Sequence, residues 1–169
     1  NIRIPSAVDA RESKAKVEAD WTGYSAGDWG LCEEGFARYS FDSENGKRNS
    51  GNISMYLERH GEFWCISSGP FEEIRTGKGL RMVRVFEFWL RSIRQSMKAL
   101  DEMGATAGRA IEVGIGNLCG VALIDWSRLG MPQSRKLFVH HLEEKPTWNE
   151  NDVHRLLRTA ADDVLSAFG

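Results

Sequence analysis

Between Val85 and Leu100 the apolar residues recur at helical intervals: Phe86, Leu90, Ile93, Met97 and Leu100 are separated by 4, 3, 4 and 3 positions. An α-helix puts residues at that spacing on one side, and a strand does not. Val85 and Trp89 widen the stripe, so the helix must lay a broad apolar face on a partner layer. The pattern predicts a helix that starts between Gly79 and Met82 and ends near Met103 and Gly104, where glycine supplies a stop.

The sequence on either side supplies that layer. Phe36–Phe41 alternates, as do Ile53, Met55 and Leu57 with their neighbours, and Phe63–Ser67 completes a first run of three strands. The polar stretch Asp42–Gly51, with Asn45-Gly46 inside it, reads as a turn, and Arg59–Glu62 reads as another. After the helix come Ala110–Ile115, Gly120–Ile124 and Arg135–Leu142, the last with Leu137, Val139 and His141 on one face. Sequence neighbours are expected to pair antiparallel, the second run turning through Gly116-Asn117.

Two further helices are predicted. Ser6 with Asp9 opens a polar one over Ala7–Asp20, followed by a loop over Thr22–Glu34 that Trp21, Tyr24 and Trp29 could anchor. Thr147 with Glu150 caps the last, whose stripe is Val153, Leu156, Leu157, Ala160, Val164 and Phe168. The expected fold is therefore α+β. Two three-strand runs form mainly antiparallel sheet, two long amphipathic helices pack on one face, and a shorter helix leads in. One domain over residues 1–169 is expected, with 1–34 as lead-in and 35–169 as core. The chain opens on Asn1 and closes directly off a helix, so both ends read as cut from a longer polypeptide.

Composition narrows the classes. The 169 residues carry 22 Lys+Arg against 24 Asp+Glu, a net charge of −2, which argues against a chain that coats nucleic acid along its whole surface. No apolar run approaches the ~18 residues of a membrane span, so no membrane partner is expected. Cys32, Cys65 and Cys119 match no zinc or redox spacing, and buried thiols in a reducing cytoplasm are the expectation.

Familiar chemistry is missing. Gly114, Gly116 and Gly120 stand at G-x-G-x-x-x-G and lead into a strand rather than a helix, so a glycine-rich hairpin or bulge is expected instead of a phosphate loop. Gly77-Lys78-Gly79 lacks the spacing of a P-loop, and Ser67-Ser68-Gly69 is no nucleophile elbow. His140 and His141 are adjacent, so in a strand they face opposite ways and cannot share a metal. Neighbouring acids (Glu33-Glu34, Glu72-Glu73, Glu143-Glu144, Asp162-Asp163) read as solvated faces, and Asp125, just past a strand, is the one acid in a catalytic-looking position. No cofactor, metal ligand or catalytic residue is assigned.

One charge pattern stands out. From Glu72 to Lys98 there are seven basic residues (Arg75, Lys78, Arg81, Arg84, Arg91, Arg94 and Lys98) and three acids (Glu72, Glu73 and Glu87). Arg84, Arg91, Arg94 and Lys98 fall at spacings of 7, 3 and 4, on the side of the helix away from Phe86, Leu90 and Ile93. With Arg81 they make a candidate phosphate-contacting stripe, whose affinity would come from counterion release and fall with salt. An amphipathic helix needs a solvated polar face in any case, and that is the simpler reading of the same residues. Six tryptophans and eight phenylalanines serve as core or as anchors for irregular chain.

In its order of features the chain resembles the C-terminal region of bacterial proteins that begin with a Schlafen-type AlbA domain and are described as DNA-binding or ATP-binding. The likeness rests on Gly35–Tyr39 opening a strand, Met55–Phe63 with His60-Gly61-Glu62 inside it, and Val85–Glu87 at a helix start. It continues through the Gly114–Leu123 strand pair and the ending from Leu156 through Asp163 to Gly169. In that family the AlbA-type half carries the nucleic-acid or nucleotide role, so the resemblance transfers no catalytic residue.

The leading expectation is a non-catalytic accessory or interaction domain of a larger bacterial cytoplasmic protein. It would contact other domains of the same protein or a protein partner, in support of a nucleic-acid or nucleotide-linked function upstream. A nucleic-acid-binding module using Arg81, Arg84, Arg91, Arg94 and Lys98 is the first alternative. A hydrolase built on Asp125, His140 or His141 is the second.

Overall fold

The computed structural model describes residues 28–32, 35–44, 47–57, 61–75, 77–124 and 133–169. The fold is α+β, with nine strands and two helices among the described residues. It divides into two compact units, one of Asn1–Gly69 with Arg94–Thr106 and one of Pro70–Ile93 with Ala107–Gly169.

The first unit is built on an antiparallel meander of β1 (Asp28–Cys32), β2 (Gly35–Glu44), β3 (Lys47–Leu57) and β4 (Glu62–Ser67), in that spatial order. The backbone of Glu44 stands opposite that of Lys47, and the β2–β3 register shifts by a bulge between Asp42 and Ser43. The β3–β4 connection is longer and closes on Gly61, which adopts φ 67°, a conformation that favours glycine, and whose N–H donates to the Leu57 carbonyl at 2.9 Å. Tyr56 is buried, with its ring 4.7 Å from that of Phe63. The strand β1 lies where Gly, Ser and Asp content predicts a loop. Edge pairing to β2 satisfies its backbone, and composition does not encode that.

In the second unit β5 (Phe71–Ile74) and β6 (Gly77–Leu80) form a short hairpin, and β6 pairs in parallel with β8 (Ala122–Leu123). Gly79 allows this approach. A Cβ there would lie 2.3 Å from the Ile124 side chain. The strands β7 (Arg109–Gly116) and β9 (Phe138–Lys145) form a separate antiparallel ribbon. The helix α1 (Met82–Glu102) starts in this unit and ends in the first, and α2 (Glu150–Ser166) packs on β9 and β7.

Three sequence expectations need correction. Six strands precede α1 rather than three, because β1 and the β5–β6 hairpin are too short or too polar to show alternation. The expected β7–β8 hairpin does not form. Asn117 turns the chain into the left-handed region at φ 58°, Leu118 is fully buried, and its N–H donates to Leu137, so β7 meets β9 while β8 joins β6. The cap of α2 is Asn149 rather than Thr147. Its side chain accepts from the Asp152 N–H at 3.0 Å while Asp152 accepts from the Asn149 N–H at 3.2 Å, a reciprocal capping box. The predicted helix over Ala7–Asp20 lies outside the described residues.

The stripe of α2 is buried along its length: Val153, Leu156, Leu157, Ala160 and Val164 are all inside, as is Phe168 just past its end. Each fully buried Leu or Val contributes about 1.5–3 kcal/mol relative to exposure. Polar contacts fix the helix on the ribbon. Lys145 pairs with Asp152, Arg155 Nη2 lies 2.9 Å from Glu143 Oε1, and Trp148 Nε1 donates to the Arg109 carbonyl at 2.9 Å. The Lys145 hydrogen bond and the Asn149 N–H hold the Asp152 carboxyl below the usual carboxylate range. No helix among the described residues is long and apolar enough to cross a membrane.

Candidate nucleic-acid interface

The helix α1 separates its two faces cleanly. Val85, Trp89, Ile93 and Ala99 are buried, while Arg84, Glu87, Arg91, Arg94 and Lys98 are exposed. At about 100° per residue, those five exposed positions fall within an arc of roughly 80°. Four are cationic, and the arc holds two exposed acids as well: Glu87 between Arg91 and Arg94, and Glu102 at the angular position of Arg84. Lys98 also pairs with Glu102 one turn on, at 3.8 Å. At surface exposure such a pair contributes little, about 0.3–0.5 kcal/mol, and phosphate can displace it.

Arg81 does not belong with them. It precedes α1, and its guanidinium forms a fork with Glu72: Nε lies 2.5 Å from Oε2 and Nη2 2.7 Å from Oε1. The Arg81 hydrogen bond, helped by the charges of Arg81 and Arg84, holds the Glu72 carboxyl below the usual range. The first turn of α1 carries no acid of its own, so Glu72 reaches this end of the helix from β5 instead.

The histidines are kept apart, as strand alternation requires. His140 is exposed on the outer face of β9, with Nδ1 2.8 Å from Glu112 Oε1 on β7. His141 points to the side covered by α2, with Nδ1 3.4 Å from Asp163 Oδ2. Asp125 lies outside the described residues, as do His60, Trp21, Tyr24 and Trp126. Among the described residues no group of three or more His, Cys, Asp or Glu could hold a metal ion. Cys119 is exposed and Cys65 half-buried, against the expectation of buried thiols.

The glycine-rich segment is a turn, with Asn117 at φ 58° and Gly120 at φ 76°, and it opens no helix. It serves packing instead. The Gly120 N–H donates to Ser134, the Ser134 N–H donates to Val121, and Leu118 is fully buried.

Sequence reasoning missed the outer face of the β7–β9 ribbon. Phe138 is 59% exposed and Leu142 60% exposed, on the same side as His140, and Leu137 just before them is also open. The expected inner set of Leu137, Val139 and His141 holds only for the latter two, because Leu137 lies just before the strand begins. The signal was present as an aromatic residue at the outward position next to buried Val139. Comparison of the chain with protein-family models, with curated proteins and with solved structures finds no match in any of the three.

Proposed function

We propose that this chain is an accessory module that holds nucleic acid through the exposed face of α1, with Arg84, Arg91, Arg94 and Lys98 contacting phosphates. The observation that carries the reading is the confinement of four exposed cations to one narrow arc of a helix whose opposite side is buried. In a chain of net charge −2, that arrangement concentrates positive potential where a polyanion can meet it. Arg81 is left out of the phosphate-contacting set because it precedes α1 and so lies off that arc. The resemblance to chains that follow a Schlafen-type AlbA domain supports the same direction. It suggests that the module works beside such a domain in a larger bacterial cytoplasmic protein, adding affinity without sequence readout.

Phosphate contacts alone predict sequence-independent binding with a steep salt dependence. For four contacts the slope of log Kobs against log salt is about −3.6 on duplex DNA, so affinity falls roughly 100-fold between about 50 and 200 mM salt. Fluorescence anisotropy on a labelled duplex measures both quantities. Arg91→Glu combined with Arg94→Glu is expected to abolish most of the binding while leaving the circular dichroism spectrum unchanged. Undetectable binding at low salt, or binding indifferent to that double substitution, refutes the reading.

A further inference from the structure

The outer face of the β7–β9 ribbon is uncovered by α2 and carries a feature with its own chemistry. Phe138 and His140 occupy successive outward positions on β9, 59% exposed and exposed respectively, with ring centroids 5.6 Å apart. Across from them on β7 stand Gly116, opposite Phe138, and Gly114, opposite His140. Those two glycines place no side chain directly across the ribbon from either ring. The His140 ring is held in place by Glu112, whose Oε1 is 2.8 Å from Nδ1.

The approach to this surface is built as well as open. Ser134 is 2% exposed, and its Oγ accepts from the Lys136 N–H at 3.1 Å, fixing the backbone that leads into β9. Arg135 and Lys136 are exposed on that lead-in, so cationic side chains adjoin the Phe138 end. At the other end of the face lie Leu142 and the exposed acid Glu144. Glu112 likewise disfavours phosphate beside His140, which assigns a polyanion backbone to the Arg135–Lys136 end.

We propose that Phe138 and His140 form a base-stacking platform for single-stranded nucleic acid, with Arg135 and Lys136 contacting the adjoining phosphates. Exposed aromatic rings on a sheet face, flanked by cations, bind unpaired bases by stacking and are indifferent to duplex, whose bases are already stacked. The proposal extends the nucleic-acid reading of α1 to a second surface, and its test is separable from the test of that reading.

The test is fluorescence anisotropy of the whole chain with a mixed-sequence single-stranded DNA of about twelve nucleotides, beside a duplex of the same length. Phe138→Ala and His140→Ala are each expected to weaken single-strand binding about 5- to 150-fold, with the salt slope and duplex affinity unchanged. Phe138→Trp retains the affinity and Phe138→Leu loses it, which separates stacking from apolar contact. Single-strand binding that survives Phe138→Ala overturns the proposal. So does equal weakening of single strand and duplex, or a dimer that Phe138→Ala dissociates with no loss of single-strand affinity. If Arg91→Glu with Arg94→Glu changes nothing while Phe138→Ala acts on single strands alone, the α1 reading falls and the platform stands. The reverse result removes the platform and keeps α1.

Discussion

The guanidinium of Arg81 meets the carboxylate of Glu72 through two parallel bonds, of 2.5 and 2.7 Å, that join the entry of α1 to β5. Such a fork is among the stronger charge-assisted contacts, and both side chains are partly shielded, at 29% and 28% exposure. It engages one of the five candidate phosphate-binding cations in a bidentate pair within the fold. It also makes stability depend on pH in a definite sense.

The Arg81 bond lowers the folded-state pKa of Glu72, so below its ordinary value of 4.5 the unfolded chain binds the proton more readily. The stabilisation is therefore complete above that value and is lost as pH falls through the lower folded one. Glu72→Gln is expected to lower Tm at neutral pH and to erase this part of the pH dependence. Thermal melts followed by circular dichroism from about pH 3 to 7 check it; a variant whose Tm tracks the parent at every pH contradicts the assignment.

Gly114 and Gly116 should respond in opposite directions to the same change. A Cβ on Gly114 would stand 2.8 Å from the Val139 carbonyl oxygen and 2.9 Å from His140 Cβ, and backbone cannot yield cheaply. Gly114→Ala is expected to cost about 1–3 kcal/mol by overpacking. Gly116 has nothing within 4 Å of such a Cβ, so Gly116→Ala is expected to gain roughly 0.5 kcal/mol from lost unfolded-state freedom. Urea titrations of the two variants read the sign directly.

The helix α2 gives a cap prediction. Asn149→Ala removes the acceptor for the Asp152 N–H and is expected to cost about 1 kcal/mol. Thr147→Ala, two residues earlier and exposed, is expected to stay within about 0.5 kcal/mol. Equal losses at the two positions would return the cap to Thr147.

That cap illustrates what the sequence made legible. Helical periodicity located both long helices to within a few residues, because burial of one face repeats over many turns and outweighs local ambiguity. The five buried residues of α2 are ones its pattern named, and Phe168, which the pattern also named, is buried just past the helix end. Start signals are weaker: Thr147 and Asn149 both offer a side-chain oxygen, and only the geometry of the chain leaving Lys145 chooses between them. Strand pairing was least legible. Nothing local in Gly114–Gly120 distinguishes a hairpin from a turn that sends β8 to another sheet, since the decision rests on Leu118 burial and on backbone bonds to Leu137 and Ser134. The basic stripe of α1 was visible because it obeys the helix's own period. The Phe138–His140 face was not, because its partners Gly116, Gly114 and Glu112 come from a strand more than twenty residues away.

Glu87 offers the sharpest test of the α1 face. It lies inside the cationic arc, flanked by Arg91 and Arg94 on the exposed side. If phosphates track this arc, Glu87 repels them, and Glu87→Lys both removes the repulsion and adds a contact. Glu and Lys have similar helix propensity, so the fold is unaffected. Each added contact steepens the salt slope by about 0.9, equivalent to roughly eightfold tighter duplex binding at about 0.1 M salt. Unchanged affinity would place the nucleic acid on some other surface. A gain in affinity without a steeper slope would point to relief of repulsion alone, with no phosphate seated at position 87.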